Sequence, residues 1–142
     1  MSLSTRQRTF LQTKFAAAQK NQPLVAELRE SLLEHGGEEV CFPAIEEDLM
    51  LLLTRGGLVS PETIQVREGV PGQCHYNSAA EWFADETLSV ATGYVLDGGV
   101  WRQHSWCVLE DVLVETTFAR EMYFGALLTH EEALKFVEEN YT

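Results

Sequence analysis

The segment Asp97-Gly98-Gly99 constrains the fold more than any other feature of the sequence. It separates two long runs rich in β-branched and aromatic residues, 88–96 and 100–109. Asp-Gly and Gly-Gly pairs accept the left-handed backbone of a tight hairpin, so the two runs read as antiparallel strands. Glu110-Asp111 makes a second two-residue turn, although neither residue favours left-handed backbone, and 112–118 reads as a third strand. The register then follows. Leu109 faces Val112, Trp106 faces Glu115 and His104 faces Thr117. Opposed residues share a face, so Glu115 lies on the His104 face, one diagonal step away. With Asp97–Gly99 as the turn, Thr92 and Tyr94 share that face. Gly93 marks a bulge or a close approach of backbone.

Before this meander the texture is helical. Residues 5–20 carry Phe10, Leu11, Phe15 and Ala18 on one face, and 23–35 carry a Leu24, Leu28, Leu32 stripe that ends at Gly36-Gly37. A third helix is expected over 44–55. Its Leu49–Leu53 run is apolar all round and reads as buried. Residues 63–67 read as a short extended piece, and 69–72 as a loop. A helix from Cys74 to about Asp85 places Tyr76, Ala79, Ala80 and Phe83 together. Residues 123–128 read as a further strand, and Thr129-x-x-Glu132 is a capping box that opens a last helix. The expected class is α+β: an antiparallel sheet packed against the Cys-bearing helix, with an N-terminal helical region. A length of 142 residues suits a single domain, with 1–60 as the helical region and 61–142 as the α+β core.

The charge excludes partners. Ten Lys+Arg stand against 22 Asp+Glu, a net −12. Nucleic-acid binding needs a basic face that displaces counterions, and anionic membranes repel such a chain. Residues 1–37 carry five basic and three acidic side chains, which leaves −14 for the remainder; that asymmetry suits helices 1 and 2 packing on the acidic body, dimerisation, or solvated helix faces, the last being the default reading. No apolar run approaches a membrane span, and no apolar segment near the N-terminus suggests a secretory signal. Three cysteines in no paired spacing suggest free thiols in a reducing, cytoplasmic setting. The sequence leaves the oligomeric state open.

One thiol has a chemical setting. Cys74 follows a glycine loop and falls in the first turn of a helix. Unpaired N–H groups and the positive end of the helix dipole there favour thiolate and can hold an oxyanion. His104 is a candidate base on a strand, and Glu115 a candidate acid to orient it. Gln73 and the Cys74 backbone N–H are candidate oxyanion donors, and Asn77 lies one turn into the helix. Trp106, on the His104 face, is a candidate wall of a substrate cleft or a shield over the His–acid pair. Asp111, the next acid, sits in the turn. Zinc is disfavoured, because His104 and Cys107 fall on opposite strand faces and adjacent Cys74-His75 pairs poorly on one tetrahedral ion. No cofactor is expected.

The block Gln73-Cys74-His75-x-Asn77, His104-Ser105-Trp106 and Val114-Glu115-x-Thr117 resembles the papain-like fold superfamily, in particular its bacterial transglutaminase-like branch. The resemblance covers about residues 70–128. It departs from the superfamily in having Glu115 where Asp or Asn is commoner, and in placing Gln73 next to the cysteine instead of some residues before it. It implies a thiol hydrolase or acyltransferase that uses Cys74, His104 and Glu115 on an amide or ester through a thioester. The implied substrate is a peptide or small amide or ester, amine-bearing substrates included. A non-catalytic acidic binding module on the same fold is the alternative.

Overall fold

The structure is a computed structural model and describes residues 2–141. Five helices and seven strands follow in the order α1 (Thr5–Asn21), α2 (Val25–His35), β1 (Glu39–Cys41), α3 (Leu49–Arg55), β2 (Gly57–Val59), β3 (Thr63–Val66), α4 (Cys74–Ala84), β4 (Ser89–Asp97), β5 (Val100–Leu109), β6 (Val112–Glu115), β7 (Met122–Leu127) and α5 (His130–Asn140). The class is α+β. The strands form one sheet in the order β2-β7-β4-β5-β6-β3, and β1 also pairs with β5. The sheet is mixed, not antiparallel as expected. Strands β5 and β6 are antiparallel, whereas β1 runs parallel to β5 and β3 parallel to β6. No helix among the described residues is long and apolar enough to cross a membrane.

The chain gathers into two compact units. The first runs up to Leu58 and takes up Gly93–Gln103 and Arg120–Gly125. The second holds Val59–Thr92, His104–Ala119 and the chain from Ala126 onward.

In the first unit, Ser4 and Gln7 form a capping box that opens α1. Leu11 and Ala18 are buried, while Phe10 is exposed. Phe15 packs on Phe42 and under the Arg29 guanidinium. The buried stripe of α2 is Val25, Leu28 and Leu32; Leu28 and Leu32 are buried as expected, whereas Leu24 precedes the helix and is exposed. Residues 42–48 are not helical. Gln22 holds that segment by accepting from the Glu46 N–H at 2.7 Å and donating to the Glu46 carbonyl at 3.0 Å, so α3 begins only at Leu49. Leu49 and Leu52 are buried and Met50 is exposed, so α3 is amphipathic, not buried all round. Two of the N-terminal cations expected to be solvated are paired: Arg8 with Glu38 at 2.7 Å, and Arg29 with the buried Glu39 at 2.9 Å. The β4–β5 turn is Gly98-Gly99 alone, with φ of 59° and 81°. This is one residue shorter than the turn assumed from sequence, and a one-residue change reverses which face a side chain takes. Tyr94 accordingly shares Glu46 with Gln103, the strand neighbour of His104, and not the His104 face. At Gly93 an added Cβ would overlap the Phe124 carbonyl oxygen, the close backbone approach expected there.

In the second unit, Leu109, Val108 and Cys107 pair with Val112, Leu113 and Val114, the expected register. Glu110 takes the left-handed turn position at φ 55°. Helices α4 and α5 pack together, and Trp82, Leu88, Val90, Cys107, Val114 and Ala133 form a buried cluster. The inward face of α4 is Asn77, Ser78, Ala79 and Trp82. It is rotated from the apolar face expected, because two of its members are polar and pattern alone does not flag them. Phe83 and Tyr76 stack instead on Tyr141 at 5.2 and 5.5 Å. All four side chains of β3 are exposed, so its place rests on the ladder with β6. That ladder continues past the strand ends, from Arg67 N–H to the Glu115 carbonyl and from Gly69 N–H to the Thr116 carbonyl, both 2.8 Å.

Candidate active site

Every residue of the candidate site lies in the second unit. Helix α4 begins at Cys74. The loop before it is closed by Asn77, which accepts from the Val70 N–H at 2.9 Å and donates to the Val70 carbonyl at 2.8 Å. Gly69 lies so close to this amide that a Cβ there would overlap it. Asn77 is 5% exposed, and both ends of its side-chain amide are committed to this brace. Gln73 is exposed at the N-cap and makes no side-chain cap bond. The Cys74 N–H belongs to the first helical turn, where backbone donors have no partner within the helix.

His104 and Glu115 meet as the strand register requires. His104 Nε2 lies 2.9 and 3.1 Å from the two Glu115 carboxylate oxygens, and the residues are 3% and 0% exposed. Glu115 also accepts from Thr117 N–H at 3.2 Å and from Thr117 Oγ1 at 3.0 Å. These bonds turn the chain back on the carboxylate, so β6 ends at Glu115 and not at residue 118. A buried carboxylate needs donors, so Nε2 carries the proton and Nδ1 is the ring nitrogen left for the thiol. Trp106 is fully buried and stacks on the His104 ring, with centroids 6.2 Å apart and planes 24° from parallel. It is therefore no wall of an open cleft; it covers the imidazole. Asp111 is exposed in the β5–β6 turn.

Cys74 is half-buried. Burial opposes its ionisation, but hydrogen bonds and charge from His104 and His75 outweigh it and bring the thiol down to about 5. Burial likewise opposes the charge on His104, and the bonds to Cys74 and Glu115 outweigh it, so His104 is held above the usual histidine range. Both shifts favour a thiolate beside an imidazolium. The other thiols differ. Cys107 is buried, its Sγ donates to the Ser78 carbonyl at 3.5 Å, and burial pushes it up to about 12. Cys41 is half-buried in β1. Among the described residues, no three His, Cys, Asp or Glu side chains are grouped as metal ligands.

Sequence reasoning missed the contacts of His75. Its Nδ1 lies 2.6 Å from Ser105 Oγ and 3.7 Å from Cys74 Sγ, and its ring stands edge-on to Phe136 at 5.7 Å. The signal was two adjacent pairs: His75 follows Cys74 as Ser105 follows His104.

The structure thus brings together a half-buried thiol lowered to about 5, a buried imidazole, and a buried carboxylate in contact with that imidazole. No family model, curated protein or solved structure matches the chain.

Proposed function

We propose that the chain is a cysteine-dependent hydrolase or acyltransferase with a papain-like, transglutaminase-like core, in which the antiparallel β5–β6 pair backs the Cys-bearing helix. Cys74 Sγ attacks the carbonyl carbon of an amide or ester. The S–C bond forms and the carbonyl π pair moves to oxygen, held by N–H groups at the start of α4. As the tetrahedral species collapses, the bond to the leaving nitrogen or oxygen breaks, and His104 gives that atom its proton. Neutral His104 then takes a proton from a water or an amine as it attacks the thioester, and the C–S bond breaks to return the thiolate. Glu115 orients His104 and stabilises its charged form, and Trp106 keeps water from that pair.

The observation that carries this reading is the buried Glu115–His104 contact next to a thiol lowered to about 5. Structural cysteines are inert, and a lowered, half-exposed thiol is the mark of a reactive one. The acidic surface steers cationic or neutral substrates towards the protein, amine-bearing peptides included. Three free thiols suit a reducing compartment such as the cytoplasm.

The test is covalent trapping. The chain is incubated with activated esters and peptide amides, and the acyl group is located by peptide mass. The reading expects the acyl group on Cys74, not on Cys41 or Cys107, and its loss on His104→Ala. Absence of any Cys74 adduct, with Cys74 alkylating as an ordinary thiol of pKa about 8.5, overturns it in favour of a binding module.

A further inference from the structure

We infer that His75, anchored by Ser105, is a second imidazole of the thiol site, a positioning residue that holds the Cys74 sulfur in its reactive form. The inference rests on the proposed thiol chemistry and extends it from three residues to five.

The geometry is reciprocal. Cys74 and His75 are consecutive at the start of α4, and His104 and Ser105 are consecutive on β5. His75 Nδ1 engages Ser105 Oγ at 2.6 Å, joining the second residue of one pair to the second residue of the other. Ser105 is fully buried, so its hydroxyl is a fixed partner and not a solvated one. Phe136 of α5 stands edge-on to the His75 ring and limits its rotation. His75 Nδ1 lies 2.6 Å from Ser105 Oγ and 3.7 Å from Cys74 Sγ, so the same ring nitrogen faces both hydroxyl and sulfur. The short Ser105 contact therefore sets both the ring position and the nitrogen that faces the sulfur. The second consequence is mechanical. The Ser105–His75 bond ties the first turn of α4 to the strand that carries His104, and so fixes where the sulfur sits against its base. The titratable groups acting on Cys74 are His104 and His75, with Glu115 acting through His104.

The test is the pH dependence of Cys74 alkylation by iodoacetamide, read from the mass of the Cys74 peptide in wild type and folded variants. His75→Ala is expected to raise the midpoint by about one pH unit, which is about tenfold less thiolate on the acid side. Ser105→Ala should shift it the same way by less. His75→Asn, which keeps an N–H near the Nδ1 position, should recover part of the loss. Circular dichroism and the unfolding midpoint identify variants that have merely lost the fold, and for these His75→Asn and Ser105→Ala carry the comparison. A low wild-type midpoint that rises on His104→Ala but stays put in both His75→Ala and Ser105→Ala overturns this inference and leaves the proposed function standing. A wild-type midpoint at an ordinary thiol value overturns both.

Discussion

His104 Nε2 sits between both carboxylate oxygens of Glu115, at 2.9 and 3.1 Å, in a place that water does not reach. A buried pair of this kind does little for net stability, because desolvating two charges costs about as much as their attraction returns. It does fix a tautomer. With Nε2 held by the carboxylate, Nδ1 is the nitrogen presented to Cys74, and a positive ring is tolerated in an interior that otherwise disfavours it. Trp106 stacks on the ring, and Thr117 donates to the carboxylate.

Glu115→Gln separates charge from shape. The amide can still accept from His104, but the negative charge is gone, so the His104 pKa falls and the imidazolium beside the sulfur is lost. Cys74 alkylation at mildly acid pH should fall about 10- to 100-fold, the equivalent of one to two pKa units. Glu115→Ala strips His104 and Thr117 of their buried partner and should cost about 3–5 kcal/mol in urea unfolding. Undiminished alkylation in folded Glu115→Gln would remove the carboxylate from the site's chemistry.

The pH profile follows from the two shifts. The folded state lowers the Cys74 pKa from 9.0 to about 5, so the stability this thiolate adds is full above 9, shrinks as pH falls and is gone below about 5. His104 is raised above 6.5, so its contribution is full below 6.5 and is lost as pH rises through the folded value. Thiolate and imidazolium therefore coexist from about pH 5 up to the folded His104 value. Alkylation, which needs only thiolate, should rise through about pH 5 and stay high. Acyl transfer, which also needs the His104 proton, should fall again on the alkaline side. A transfer profile with no alkaline fall would sink the acid role of His104.

Much of this site was legible because two-residue turns transmit register. Once Glu110-Asp111 joins Leu109 to Val112, strand geometry puts Glu115 on the His104 face, one diagonal step away and within side-chain reach. The same logic failed one turn earlier, where Gly98-Gly99 without Asp97 moved Tyr94 to Glu46. The α4 face was missed because Asn77 and Ser78 point inward, and the Val70 backbone groups that meet the Asn77 amide leave no trace in periodicity. Strand β1 was invisible because three residues carry too little pattern; they are held by a parallel pairing of Glu39–Cys41 with Val100–Arg102, distant in sequence.

Gly69→Ala tests the brace behind the nucleophile. The new methyl would overlap the Asn77 amide, and the loop must shift to admit it, at about 1–3 kcal/mol. Asn77→Ala removes both bonds to Val70 and should cost a similar amount. Each should speed hydrogen exchange at the Val70 amide and slow Cys74 alkylation. Unchanged exchange at Val70 in both variants would mean that the loop keeps its form without the brace.

Tyr94→Phe probes the other buried acid network. Glu46 is 1% exposed, and its carboxylate accepts from Tyr94 OH at 2.7 Å, Gln103 Nε2 at 3.0 Å and the Asp48 N–H at 2.9 Å. Burial and the Glu46 charge hold the Tyr94 hydroxyl protonated and above the usual tyrosine range, so it donates at every accessible pH. Removing the hydroxyl leaves a buried carboxylate one donor short, which should cost about 1.5–3 kcal/mol in chemical denaturation. Glu46→Gln on its own should also destabilise, because the amide N–H₂ must face either the Asp48 N–H or the two donors Tyr94 and Gln103. The double variant should cost less than the two singles combined, since each already forfeits the shared bond. Full additivity of the three measurements would show that Tyr94 and Glu46 act independently.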